Sequence, residues 1–73
     1  MKPPKRYTVH LHGSAKTTQI YRGNSTSVMY SHVTAVETTL KETRGTAEIE
    51  IVENGESRWV QYRDGVLIMR GVK

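Results

Sequence analysis

The sequence predicts a mainly β protein: a small antiparallel sheet or half-open barrel of about six strands, with a C-terminal meander and at most one short helix. Three turn signals, Arg44-Gly45, Asn54-Gly55 and Asp64-Gly65, separate four segments between Val36 and Arg70 that have strand character. Asn-Gly and Asp-Gly favour two-residue hairpin loops, because both central residues of such a loop need a positive φ. Two-residue loops also fix the register in which neighbouring strands pair.

When the registers that the three loops fix are combined, they predict one apolar row across the meander. It consists of Leu40, Ile49, Val60 and Met69. The alternate positions form a mixed face on the other side of the sheet, which carries Trp59, Gln61, Arg63, Ile68 and Arg70. Because a slip of one residue would exchange the two faces, the continuous apolar row favours an antiparallel meander.

Residues 28 to 43 are compatible with two structures. Five β-branched residues between positions 33 and 39, together with the place of Leu40 in the apolar row, favour a strand. Apolar residues at spacings of four, three and four from Met29 to Leu40, with Gly45 after them, are typical of a helix. We expect a strand, and the alternative is an α+β fold with a helix near 33–43.

The N-terminal part divides into an arm and a hairpin. Residues 1–6 are basic and contain two prolines, so we expect a flexible arm, followed by a single β-domain over residues 7–73. Tyr7 to His12 alternate between apolar and polar side chains, which predicts a half-buried strand. A four-residue loop would then place Leu11 opposite Thr18 and Val9 opposite Ile20.

Composition limits the class of protein. The chain has 73 residues and no cysteine, which leaves room for one domain and gives no disulfide staple. It has no long apolar run and no signal-peptide pattern, so we expect a cytoplasmic protein. The net charge of +4 is uneven, since residues 1 to 36 carry five Lys or Arg and no Asp or Glu. This distribution favours an anionic partner, while an ordinary solubilising charge explains it equally well.

Few residues point to catalysis or to metal binding. His10 and His12 share one face of a strand, and His32 is a conceivable third ligand, but no fourth ligand stands at a telling spacing. The sequence contains no nucleophile motif, Gly-rich phosphate loop or paired carboxylates. We therefore expect no enzyme activity, no cofactor and no metal.

The aromatic and basic residues suggest a binding surface. Trp59 with Arg63 and Arg70 has the composition of a protein-binding hot spot, and the arm adds positive charge through Lys2, Lys5 and Arg6. Tyrosines interleaved with arginines are also found in β-barrels that bind single-stranded nucleic acid. In a third interpretation, the N-terminal hairpin packs over Trp59 and forms a second core with it.

In length, in its cysteine-free basic composition and in the run from Met1 to Arg6 followed by short strands, the chain resembles the small lytic-phage proteins that bind host bacterial RNA polymerase. The resemblance implies a non-enzymatic transcription regulator that docks on polymerase, inhibits σ-dependent initiation and promotes antitermination. It implies no particular fold. We expect a monomer in the host cytoplasm with polymerase as protein partner, and single-stranded nucleic-acid binding as the alternative.

Overall fold

The protein is described over residues 6–72 in a computed structural model, which has one antiparallel sheet and one helix. The elements are β1 (Tyr7–His12), β2 (Thr17–Gly23), α1 (Thr26–Thr43), β3 (Ala47–Glu53), β4 (Glu56–Arg63) and β5 (Val66–Gly71). The five strands follow the order β2-β1-β3-β4-β5. About half of the described residues lie in strands, which confirms a mainly β fold with a C-terminal meander. Nothing is described of residues 1–5, where most of the predicted arm lies.

The expected strand over residues 28 to 43 is wrong, because this segment is part of an 18-residue helix. Ser25 caps the helix: its hydroxyl accepts a hydrogen bond from the Val28 N–H at 3.3 Å. Arg44 ends it in the left-handed region at φ 53. The hydroxyls of Thr39 and Thr43 donate to carbonyls one turn earlier, so these β-branched residues fit into the helix. The sheet therefore has five strands instead of six, and Leu40 pairs with no strand.

Two of the three predicted turns form as expected, whereas Arg44-Gly45 ends α1 and does not join two strands. Asn54 and Gly55 have φ values of 50 and 87, and Asp64 and Gly65 have values of 52 and 79. Positive φ at both central residues is what a type I′ hairpin turn requires. The β3–β4 register is also confirmed, since Ile49 lies opposite Val60.

Two β-bulges shift the registers at the edges of the sheet. Between β4 and β5 the register shifts at Gln61/Tyr62, so that Val60 pairs with Arg70 and not, as predicted, with Met69. Between β1 and β2 it shifts at Val9/His10, and Val9 pairs with Tyr21 instead of Ile20. Each bulge inserts one residue, which moves the residues beyond it to the opposite face.

The core lies between α1 and one face of the sheet, which we call the helix face. Its fully buried side chains are Val9, Met29, Val33, Ile49 and Tyr62. β1 lies beside β3 in the middle of the sheet, with Leu11 opposite Ile49. The N-terminal hairpin thus extends the sheet and does not cover Trp59, so the alternative of a second core is wrong.

One carboxylate is buried within this core. Glu37 on α1 is 8% exposed and accepts hydrogen bonds from the Tyr62 hydroxyl at 2.9 Å and from Arg70 Nη2 at 2.6 Å. Burial, followed by the hydrogen bond to Glu37, raises the pKa of Tyr62 above its ordinary value. These contacts tie α1 to β4 and β5, and they satisfy a charge that would otherwise be costly to bury.

Candidate functional site

The second face of the sheet, which we call the open face, is covered by no helix or strand of residues 6–72. Strand alternation and the pairing registers place on it a set of mostly half-buried polar and aromatic side chains. They are Thr8, His10, His12, Glu48, Glu50, Ser57, Trp59, Gln61 and Arg63. An antiparallel sheet with one face packed and the other solvated is a common arrangement. The open face is therefore a continuous sheet surface that is available to a ligand or partner.

The centre of the open face is formed by Trp59 and His12. Their ring centroids are 5.3 Å apart, and the planes are inclined by 35°. His12 is held at both nitrogens: Nε2 donates to Glu50 Oε1 at 3.0 Å, and Nδ1 lies 3.1 Å from the Thr17 hydroxyl. His10 extends the row of rings, with its centroid 6.3 Å from that of His12. The hydrogen bonds fix the orientation of His12, so the rings form an ordered platform.

Two glutamates lie beside this platform. Glu50 is paired with Trp59 across β3 and β4, and it also accepts a hydrogen bond from the Ser57 hydroxyl at 2.9 Å. Glu48 accepts one from Gln61 Nε2 at 3.1 Å. The hydrogen bond from His12 is the largest cause that lowers the pKa of Glu50, and it outweighs the opposing effect of burial. Glu50 is accordingly ionised at neutral pH, and the middle of the open face carries negative charge.

A shallow groove continues from the platform towards the β4–β5 end of the sheet. Its walls include Glu48 and Gln61 from the open face, Arg63 at the end of β4, and Ile68 on β5. The groove therefore combines an acidic, an amide, a basic and an apolar side chain within a few residues of Trp59. Such a mixture suits a polypeptide better than a uniformly charged polymer.

The predicted site residues do not form one cluster. Trp59 and Arg63 share the open face, since they are four residues apart in β4 and side chains alternate between the two faces. Arg70 lies on the helix face, where it binds Glu37, because the bulge in β5 reverses its side. Arg6 lies beside the β3–β4 turn: its N–H donates to Asn54 Oδ1 at 2.9 Å and its carbonyl accepts from the Asn54 N–H. Lys2 and Lys5 are outside the described residues.

Sequence reasoning missed the contribution of β1 to this site. Hairpin turns reveal only pairs of strands that follow one another in the chain, whereas β1 and β3 are separated by β2 and α1. The alternation in β1 indicated that His10 and His12 lie on its polar face. It gave no sign that Trp59 is their neighbour. Among residues 6–72, no group of three or more His, Asp or Glu side chains is arranged to hold a metal ion.

The contact between Glu50 and His12 predicts that the free energy of unfolding falls in acid. A pKa that is lower in the folded than in the unfolded state gives stability that is present above the ordinary value of 4.5 and is lost as the pH falls through the folded value. We expect Glu50→Gln to be less stable than the wild type at pH 7, with a difference that shrinks below pH 4.5. Urea unfolding at a series of pH values measures this, with Glu42→Gln, an exposed change on α1, as the control. A difference that does not change with pH would contradict it.

The described residues contain no helix that is long and apolar enough to cross a membrane. Comparisons with protein-family models, with curated proteins and with solved structures find no match to this chain.

Proposed function

We propose that this chain is a non-enzymatic protein-binding module that docks on its partner through the open face, with Trp59 at the centre of the contact. Trp is enriched among the residues that contribute most to protein interfaces, and such residues lie in the middle of an interface, surrounded by polar contacts that exclude water. Trp59 is half-buried and flanked by hydrogen-bonded polar side chains, among them His12 and Glu50. A rigid aromatic ring of this kind loses little entropy when it is covered.

The observation that carries the proposal is the charge beside the aromatic platform. A phosphate backbone laid across the rings would approach Glu48 and Glu50, which repel it. Arg70, which was expected beside Trp59 in the binding surface, instead binds Glu37 on the other face, so the open face carries less positive charge than the sequence predicted. The open face therefore favours a protein partner over single-stranded nucleic acid.

The rival function has one observation in its favour. The rings of His10, His12 and Trp59 form a row with centroid separations of 6.3 and 5.3 Å, and aromatic rows of this kind can stack bases. Arg63 lies at the end of the same face. We keep single-stranded nucleic-acid binding as the second candidate because of these rings.

The resemblance to small phage regulators supplies the identity of the proposed partner. We propose bacterial RNA polymerase, with inhibition of σ-dependent initiation and promotion of antitermination as the consequences of docking. Its support is the composition and the basic run from Met1 to Arg6.

A capture experiment from bacterial lysate, with and without nuclease, tests the proposal. We expect the immobilised chain to retain RNA polymerase subunits equally in both samples. Retention that disappears after nuclease treatment, or that falls steeply as salt is raised, would support the nucleic-acid candidate instead, because phosphate contacts release counterions. Retention of neither polymerase nor nucleic acid would contradict both.

A further inference from the structure

The last strand, β5, contributes no side chain to the core of residues 6–72. All buried apolar residues of that core lie on β1, α1, β3 and β4. On β5, Val66 is 62%, Leu67 40% and Ile68 56% exposed, and the remaining residues are exposed or half-buried. An element with few buried apolar contacts opens at a lower free-energy cost than the rest of a fold.

The strand at the opposite edge of the sheet, β2, is attached to the helix in a way that β5 is not. Ile20 and Tyr21 of β2 pack against the core. The ring of Tyr21 also stacks on His32 of α1, with centroids 5.3 Å apart, and its hydroxyl accepts a hydrogen bond from the Ser25 N–H at 3.2 Å. An edge position alone therefore does not explain the weak packing of β5.

The backbone pairing of β5 is irregular as well. β5 pairs only with β4, and the register between the two strands shifts at Gln61/Tyr62. A bulge of this kind disrupts the ladder of hydrogen bonds locally. The backbone of β5 is thus held by a single, interrupted ladder.

The turn before β5 is fixed to the end of α1. The Gly65 N–H donates to the Gly45 carbonyl at 3.0 Å, and the Asp64 N–H donates to the Thr46 hydroxyl at 3.0 Å. Gly65 also lies so close to the helix that an added Cβ would be 2.9 Å from the Cα of Arg44. The turn can therefore stay in place while the strand beyond it moves, as a hinge requires.

Near its other end, β5 is held by one ion pair. Arg70 Nη2 donates to Glu37 Oε1 at 2.6 Å, and no other side-chain hydrogen bond within residues 6–72 involves β5. The Arg70 side chain is 53% exposed, whereas Glu37 is buried and also accepts a hydrogen bond from the Tyr62 hydroxyl. Glu37 therefore keeps one partner when Arg70 moves away, and water can take the place of the guanidinium.

We infer that β5 is a flap, which opens as a unit while α1 and the strands β1 to β4 stay folded. The turn at Asp64 and Gly65 is its hinge, and the ion pair between Arg70 and Glu37 is its latch. Ile68 lines the groove of the open face, and Gly71 lies opposite Trp59. Opening of the flap removes a wall of this groove and uncovers the edge of β4 beside Trp59.

Amide hydrogen exchange of the full chain, followed by NMR and corrected for the intrinsic rate of each residue, tests the inference. We expect the β5 amides that bond to β4 to exchange on the order of 100-fold faster than those of β3. Ile49→Val removes one buried methyl group, so it should speed the exchange of β3 amides about fivefold. It should leave the β5 amides unchanged, because Ile49 stays packed when the flap opens. Equal acceleration in β3 and β5 would overturn the inference, since β5 would then open only with the whole chain.

The same measurement on Arg70→Gln tests the latch. The ion pair exists only while the flap is closed, so its loss should speed β5 exchange about tenfold, less than for a fully buried pair because Arg70 is half exposed. Arg70→Lys keeps the charge and should give an intermediate rate. The control Arg58→Gln removes an exposed arginine of β4 and should leave the β5 rates unchanged. Unchanged β5 exchange in Arg70→Gln, or equal acceleration in Arg58→Gln, would contradict the assignment of the latch.

Discussion

Replacing Ile49 by alanine is expected to destabilise the fold by about 3 kcal/mol, because it removes buried methyl groups and leaves a cavity that the neighbours fill only in part. Ile49 is 0% exposed and lies on β3, with Leu11 on one side and Val60 on the other. A domain of this size has a total stability of roughly 4 to 11 kcal/mol. A single change at Ile49 therefore removes a large part of it.

The chain offers a matched control for this experiment. Ile68→Ala deletes the same atoms from a residue of β5 that is 56% exposed. For this variant we expect a change in the free energy of unfolding of less than about 0.5 kcal/mol. Urea unfolding followed by circular dichroism measures both variants. Equal destabilisation by the two changes would show that Ile49 is not at the centre of the core.

Replacing Trp59 by alanine is expected to weaken partner binding by about 2 kcal/mol or more, which is on the order of a 30-fold increase in the dissociation constant. The reason is that the ring offers a large, rigid contact area on a face that no other element of residues 6–72 covers. The fold should persist, because Trp59 lies outside the buried core between α1 and the sheet. Isothermal titration with purified core RNA polymerase, the proposed partner, measures the change in affinity.

A second aromatic residue provides the control for Trp59. Tyr30 is 50% exposed and lies on α1, on the opposite side of the molecule from the open face. Tyr30→Ala should leave the affinity unchanged. If Tyr30→Ala and Trp59→Ala weaken binding equally, the contact is not centred on the open face. If Trp59→Ala unfolds, the ring has a structural role and the proposed interface loses its centre.

The meander was predictable from sequence because its registers depend on local turn chemistry. Asn54-Gly55 and Asp64-Gly65 adopt the required positive φ values, and the pairing of Ile49 with Val60 follows directly from the first of these turns. The bulge beside Tyr62 was not predictable, since no residue type is specific for it. Its consequence is large, because it moves Arg70 from the predicted binding face to Glu37.

The helix shows how tertiary packing and capping override residue propensity. Valines and threonines in the middle of α1 favour a strand only weakly, by differences that are small compared with the burial of Met29 and Val33 against the sheet. The spacing of the apolar residues was the more reliable signal. The site was only partly predictable for a related reason: Trp59 could be identified as a candidate, but the pairing of β1 with β3 that brings His12 to it is a long-range contact.

The most direct measurement of the proposed contact uses Trp59 itself, which is the single tryptophan of the chain. The proposed partner, RNA polymerase, is produced with a non-emitting tryptophan analogue, so that its own tryptophans do not fluoresce. The emission of Trp59 is then followed as the partner is added. Docking through the open face predicts a shift of the emission to shorter wavelength and a loss of quenching by acrylamide, both saturating with the binding isotherm. Emission and quenching that remain unchanged when calorimetry shows saturated binding would contradict the proposal that Trp59 and the open face form the interface.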